Sequence, residues 1–199
     1  MPWTLSMKKI FIFFTVLAAF LIAGRAIASN LNLNSTQQNA PGIFVSANLG
    51  YGLPDLKNTN NSGGFAWNGS GGYQFDRYFA LEAGYTEIEG KKVLLGVVKS
   101  NCHLSGLDLL AKLMYPFNRD NNIFVKFGAM NAQNRVYYSD LNTSTIRTRV
   151  VPEFGLGISH HVAKNFSLSL QGVTTLASNN DVVPASYAVY VGMSYKFNV

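Results

Sequence analysis

The sequence predicts an all-β fold: an eight-stranded antiparallel up-and-down transmembrane β-barrel. Three observations predict it. Apolar residues recur at every second position through eight separate stretches. Those stretches run about ten residues, the length a tilted strand needs to cross a bilayer. The links between them alternate short and long, as in a membrane barrel with tight turns on one side and loops on the other. Composition agrees. The 199-residue chain is 48% hydrophobic but 13% charged, about half the charged share of a soluble globular protein. That balance argues against a disordered chain, a coiled coil and a basic nucleic-acid binder. A single Cys excludes an internal disulfide and a Cys-rich zinc site. No cofactor, metal or nucleic-acid partner is expected.

The N-terminus reads as an address. Lys8 and Lys9 precede an apolar run from Ile10 to Ala23, Gly24 and Arg25 break it, and Ala26-Ile27-Ala28 offers small residues at a cleavage site. A basic start, an apolar run of this length and an A-x-A site describe a secretory signal peptide. The rival, a membrane-spanning helix, needs about 20 apolar residues. Residues 1–28 are therefore expected to be cleaved, and residues 29–41, rich in Asn, Gln and Ser, to form a flexible tail. Lys8, Lys9 and Arg25 leave with the signal, so part of the +6 formal charge says nothing about partners of the mature chain.

From Gly42 onward the period is two. Ile43 to Tyr51 sets Ile43, Val45, Ala47, Leu49 and Tyr51 against Ser46, Asn48 and Gly50. Phe65 to Phe75 alternates Phe65, Trp67, Tyr73 and Phe75 with Asn68, Ser70, Gly72 and Gln74. Phe79, Leu81, Ala83 and Tyr85 alternate with Ala80, Glu82, Gly84 and Thr86. Leu107 to Phe117 and Ile123 to Ala129 repeat the pattern, with Asp108, Lys112 and Lys126 on the polar face. Val150, Pro152, Phe154, Leu156 and Ile158 oppose Arg149, Glu153, Gly155, Gly157 and Ser159. Phe166, Leu168 and Leu170 alternate with Ser167, Ser169 and Gln171, and Tyr187 to Phe197 closes the series with Gly192, Ser194 and Lys196 on its polar face. A soluble sandwich also alternates, but on strands of about 5 to 6 residues.

Tight links fall at Asp76-Arg77, at Asn118 to Asn121 and around Ala163-Lys164-Asn165. Longer ones are expected at Leu53 to Ser62, Glu87 to His103, Gln133 to Ile146 and Ala177 to Pro184. Outward aromatics gather at both ends. Tyr73, Phe75, Phe79, Tyr115, Phe117, Phe166, Tyr195 and Phe197 lie near the short turns, and Tyr51, Phe65, Trp67, Tyr85 and Tyr187 near the loops. Two aromatic belts around an aliphatic band mark an outer-membrane barrel.

The stretch Gly71-Gly72-Tyr73-Gln74-Phe75-Asp76-Arg77-Tyr78-Phe79-Ala80-Leu81-Glu82-Ala83-Gly84-Tyr85 resembles the second hairpin of OmpA-like outer-membrane β-barrel domains. The last strand, with Gly192, Tyr195 and Phe197, is similar to the C-terminal signal read by the barrel-assembly machinery, although Asn198 and Val199 follow the terminal aromatic. The resemblance covers residues 42–199. It implies a small eight-stranded barrel in the outer membrane of a Gram-negative cell, amid lipid and lipopolysaccharide, handled by the assembly machinery during biogenesis. It carries over no peptidoglycan-binding domain and hence no wall-anchoring role.

Parity puts Glu82, Asp108, Lys112, Lys126, Glu153 and Lys196 inside the barrel, with Arg149 nearer the loop rim. An eight-stranded lumen is filled by side chains, and charges buried there must pair. An ion-pair network plugging the lumen is the expectation, with a gate that opens a small pore as the alternative. Catalysis has little support. His160 and His161 follow Ser159 at the short-turn end, where His160 is expected at the membrane interface and His161 beside a turn, and His103 sits beside Cys102 in an expected loop, a pair with no defined residue to orient it. Cys102 is also a candidate for an intermolecular disulfide. No HExxH, GxSxG, Walker A or EF-hand spacing occurs. A lipid A-modifying enzyme therefore ranks behind the pore. The loops remain. Lys91, Lys92, Val93, Leu94, Leu95 and Lys99 form a basic and apolar patch that either extends its hairpin or contacts lipopolysaccharide, a host surface or an envelope protein. The expected function is a non-enzymatic envelope barrel whose surface loops are available for interaction or adhesion.

Overall fold

The computed structural model describes residues 41–55, 60–93, 99–138, 143–176 and 185–197. The expected signal peptide, the tail up to residue 40, and Leu94, Leu95, Asn198 and Val199 lie outside the described residues. Eight strands follow in order: β1 (Gly42–Asp55), β2 (Asn60–Gln74), β3 (Phe79–Val93), β4 (Lys99–Pro116), β5 (Asn121–Tyr138), β6 (Thr143–Ala163), β7 (Phe166–Thr175) and β8 (Ala185–Lys196). Each pairs antiparallel with the next, and β8 returns to β1, closing the barrel. Closure leaves no strand edge for lipid, which has no hydrogen bonds to offer. No helix among the described residues is long and apolar enough to cross a membrane.

The alternation sets the register. A slip of one residue would turn every apolar side chain to the wrong face. Outward residues are bare: Leu107 is 65% exposed, Val150 64% and Leu156 60%. Their inward counterparts Leu104, Met130 and Ala132 are buried almost completely. So many bare aliphatics would be a liability in water; they suit an acyl-chain solvent. Aromatics flank the band, with Phe75 stacked on Phe79 and Tyr195 edge-on to Phe197 near the short turns, and Trp67 against Tyr85 toward the loops.

Several strands run past the alternating stretches. The expected loop from Glu87 to His103 is largely ladder: Gly90 pairs with Cys102, Lys91 with Asn101, Lys92 with Ser100 and Val93 with Lys99. The patch residues Lys91, Lys92, Val93 and Lys99 therefore stand on strands, not in a loop. Likewise β5 and β6 pair out to Tyr138 and Thr143. Past the loop-side aromatic belt the outward face no longer has to be apolar, as Glu87 and Glu89 show, so the hydrophobic alternation fades, while ladder hydrogen bonds continue to satisfy the backbone.

Candidate functional site in the barrel lumen

Inward side chains fill the lumen in three zones. Toward the loops lies an apolar cluster of Ala66, Ile88, Leu104, Met130, Ala132, Val151, Ala188 and Tyr190. Below it run two polar ladders across neighbouring strands. Below those, at the short-turn end, is a cavity of about 60 Å³.

The ladders start from small polar residues on β1 and β2. Asn48 Nδ2 donates to Asn68 Oδ1 at 2.8 Å, Asn68 Nδ2 donates to Thr86 Oγ1 at 2.9 Å, and the Thr86 hydroxyl donates to Asp108 Oδ2 at 3.1 Å. One step closer to the short turns, Ser46 and Ser70 share a hydrogen bond and Ser70 donates to Glu82 Oε1 at 2.7 Å. Lys126 Nζ donates to that same oxygen at 2.8 Å. Glu82 is 1% exposed and Lys126 5%, so their pairing is fully desolvated. Gly84 makes room for both ladders: a methyl there would stand 2.8 Å from Asp108 Oδ1 and 2.9 Å from Ser70 Cβ.

The seven charges read from the sequence thus occupy different settings. Glu82 and Lys126 form an ion pair. Asp108 is held by Thr86, with its Oδ1 unpartnered, and buried Glu153 also keeps an unpartnered Oε2. Lys112 lies over the Phe124 ring, 4.4 Å from its centroid, and Lys196 donates to Gln74 Oε1 at 3.1 Å. Arg149 is exposed at the rim, above the buried layers. The ladder residues Ser46, Asn48, Asn68, Ser70 and Thr86 are the part a charge-based reading overlooks. Their signal was the recurrence of small hydrogen-bonding residues on the inward parity of adjacent strands.

The histidines resolve as well. His103 faces Glu87, 3.8 Å away, on the paired strands β3 and β4. His160 is buried, and its Nδ1 donates to Asn121 Oδ1 at 2.9 Å. His161 turns into the lumen. Asn122 Nδ2 donates to its Nε2 at 2.9 Å, and its Nδ1 lies 2.7 Å from Ser167 Oγ. The arrangement resembles a serine–histidine–asparagine triad, but the proton runs the wrong way. A ring whose Nε2 accepts from Asn122 carries its proton on Nδ1, so His161 donates to Ser167 and has no lone pair for the hydroxyl proton.

On β8, Gly192 faces inward against Asn48 and Ser169, while Tyr195 and, just past the strand end, Phe197 face outward. A methyl on Gly192 would overlap Asn48 Oδ1. This glycine thus has a packing reason for its place, whatever else reads it.

Residues 14–197 match the model of the outer membrane protein beta-barrel domain. An uncharacterised protein of Coxiella burnetii is 24% identical, with 96% of this chain and all of that protein covered. Outer membrane protein A of Klebsiella pneumoniae is 29% identical over 64% of this chain and 39% of its own length; the chain thus spans well under half of that relative. Among solved structures, Neisserial surface protein A superposes with a TM-score of 0.61 at 17% identity, covering 78% of this chain and 97% of that one. The alternating strands and closed barrel accord with these matches: the chain belongs to the outer membrane protein beta-barrel domain family, and its place is the outer membrane of a Gram-negative cell.

Proposed function

We propose that the protein is a non-enzymatic envelope barrel, a closed scaffold that holds its loop-side hairpins at the cell surface for contact with lipopolysaccharide, host surfaces or envelope proteins. The observation that carries this reading is the filled lumen. The apolar cluster lies above the Asn48–Asn68–Thr86–Asp108 ladder and the Glu82–Lys126 pair, leaving side chains where a pore needs water. Purified protein in planar bilayers is expected to give no steady conductance, before or after Glu82→Lys. A stable channel in the wild type that changes with that substitution would replace the scaffold with a gated pore. Replacing Gly90 to Lys99 by a two-residue turn is expected to keep the barrel heat-modifiable on gels while reducing adhesion of expressing cells. Undiminished adhesion would remove this hairpin from the contact surface.

A further inference from the structure

The cavity at the short-turn end has a one-sided lining. Its wall includes Lys112, Lys126, Lys164 and Lys196, and neither Asp nor Glu lines it. Lys164 belongs to the β6–β7 turn, so the mouth lies on the periplasmic side, where barrels of this kind place their short turns. Lys112 and Lys126 stand directly opposite each other on β4 and β5. Like charges in that position repel. Lys126 is answered by Glu82. Lys112 feels the same carboxylate only at longer range: it rests on the rings of Phe124 and Phe44, and among the described residues it makes neither a hydrogen bond nor an ion pair.

Neutral donors complete the wall. Because His161 donates to Ser167 Oγ, the Ser167 hydroxyl keeps its own hydrogen for the cavity that Ser167 lines. An ammonium with no hydrogen-bonded side-chain partner among the described residues and a hydroxyl donor therefore line one small space. A space of this size holds a few waters or one small ion, and low-dielectric walls strengthen the attraction for an anion. Several donors around one point suit the oxygens of an oxyanion, as in charge-assisted phosphate recognition.

We propose that this periplasmic vestibule binds a small oxyanion of phosphate type, with Lys112 and Ser167 as its principal contacts. The same chemistry is carried by free phosphate and by a phospholipid headgroup, and the cavity's size favours the free ion.

The test uses the full-length protein refolded in octyl glucoside, a detergent without phosphate, at low ionic strength. Calorimetric titration with inorganic phosphate is expected to show saturable one-to-one binding. Lys112→Met should weaken it about tenfold or more, because a hydrogen bond to a charged group is lost, and Ser167→Ala should weaken it less. Lys164→Met, at the exposed mouth, should have the smallest effect. Each variant is checked for heat-modifiable mobility, and Ser167→Ala carries the test if Lys112→Met does not fold. Absence of saturable binding, equal affinity in the lumen variants, or chloride binding as tightly as phosphate would overturn the proposal. In phosphatidylglycerol nanodiscs free of inorganic phosphate, the Lys112 side-chain nitrogen resonance should stay in place until phosphate is added. Movement caused by the lipid alone would overturn the free ion as occupant.

Discussion

At the scale of single residues, Glu82 and Lys126 show how a narrow lumen tolerates charge. Each is buried almost completely, and each has the other at 2.8 Å. Removing one partner leaves the other desolvated without compensation, which typically costs about 3–5 kcal/mol. Glu82→Gln is expected to lower the urea unfolding midpoint in phospholipid vesicles by a corresponding amount. The double variant Glu82→Gln/Lys126→Met should recover much of the loss, because neither member of the pair is left charged without the other. A double variant less stable than either single one would show that the pair is not the stabilising unit. Gly192 makes a second case. Its missing side chain lets Asn48 reach Asn68, so Gly192→Ala should push that ladder apart and cost about 1–3 kcal/mol, the usual range for overpacking, read from the same unfolding curves.

At the scale of elements, the strands divide into a membrane part that was legible in the sequence and an outer part that was not. In β3, Phe79, Leu81, Ala83 and Tyr85 face out while Ala80, Glu82 and Thr86 are buried, and a period of two announces it because lipid and lumen demand opposite side chains. Beyond Tyr85 the outward positions become Glu87 and Glu89 while Ile88 stays buried, so the apolar outer face lapses, although pairing continues to Val93 and Lys99. The same limit applies to the lumen. Parity placed the charges inside, but which ones touch depends on shear between strands: Glu82 is bonded by Ser70, which lies opposite Gly84 rather than opposite Glu82 itself. A difference in protection should follow along the strands. Amides of residues 91–93 and 99–101, beyond the loop-side aromatic belt, should exchange hydrogen much faster than those of residues 81–85, which lie between the two belts in the water-poor membrane zone. Exchange mass spectrometry in nanodiscs reads this directly, and uniform protection along β3 would place the membrane boundary higher than the aromatic belts do.

At the scale of the whole molecule, the barrel is organised inside out, with polar ladders within and bare aliphatics without. That arrangement has an energetic signature that separates a lipid face from an ordinary exposed surface. Val191 is 50% exposed on β8, midway in sequence between Tyr187 of the loop-side belt and Tyr195 of the short-turn belt. On a soluble protein, replacing such an exposed residue by Arg usually changes stability by less than about 0.5 kcal/mol. Facing the middle of a bilayer, the guanidinium must be drawn out of water or deform the lipid, and the cost is about 2–4 kcal/mol. At Tyr187 the charge can reach the headgroup region, and the cost falls to about 0–1 kcal/mol. Val191→Arg should therefore destabilise the barrel clearly more than Tyr187→Arg when unfolding is followed in phospholipid vesicles. The gap should narrow in bilayers made of shorter lipids, which bring the headgroups closer to Val191. Equal costs at the two positions would mean that the band between the aromatic belts is not the membrane-spanning zone.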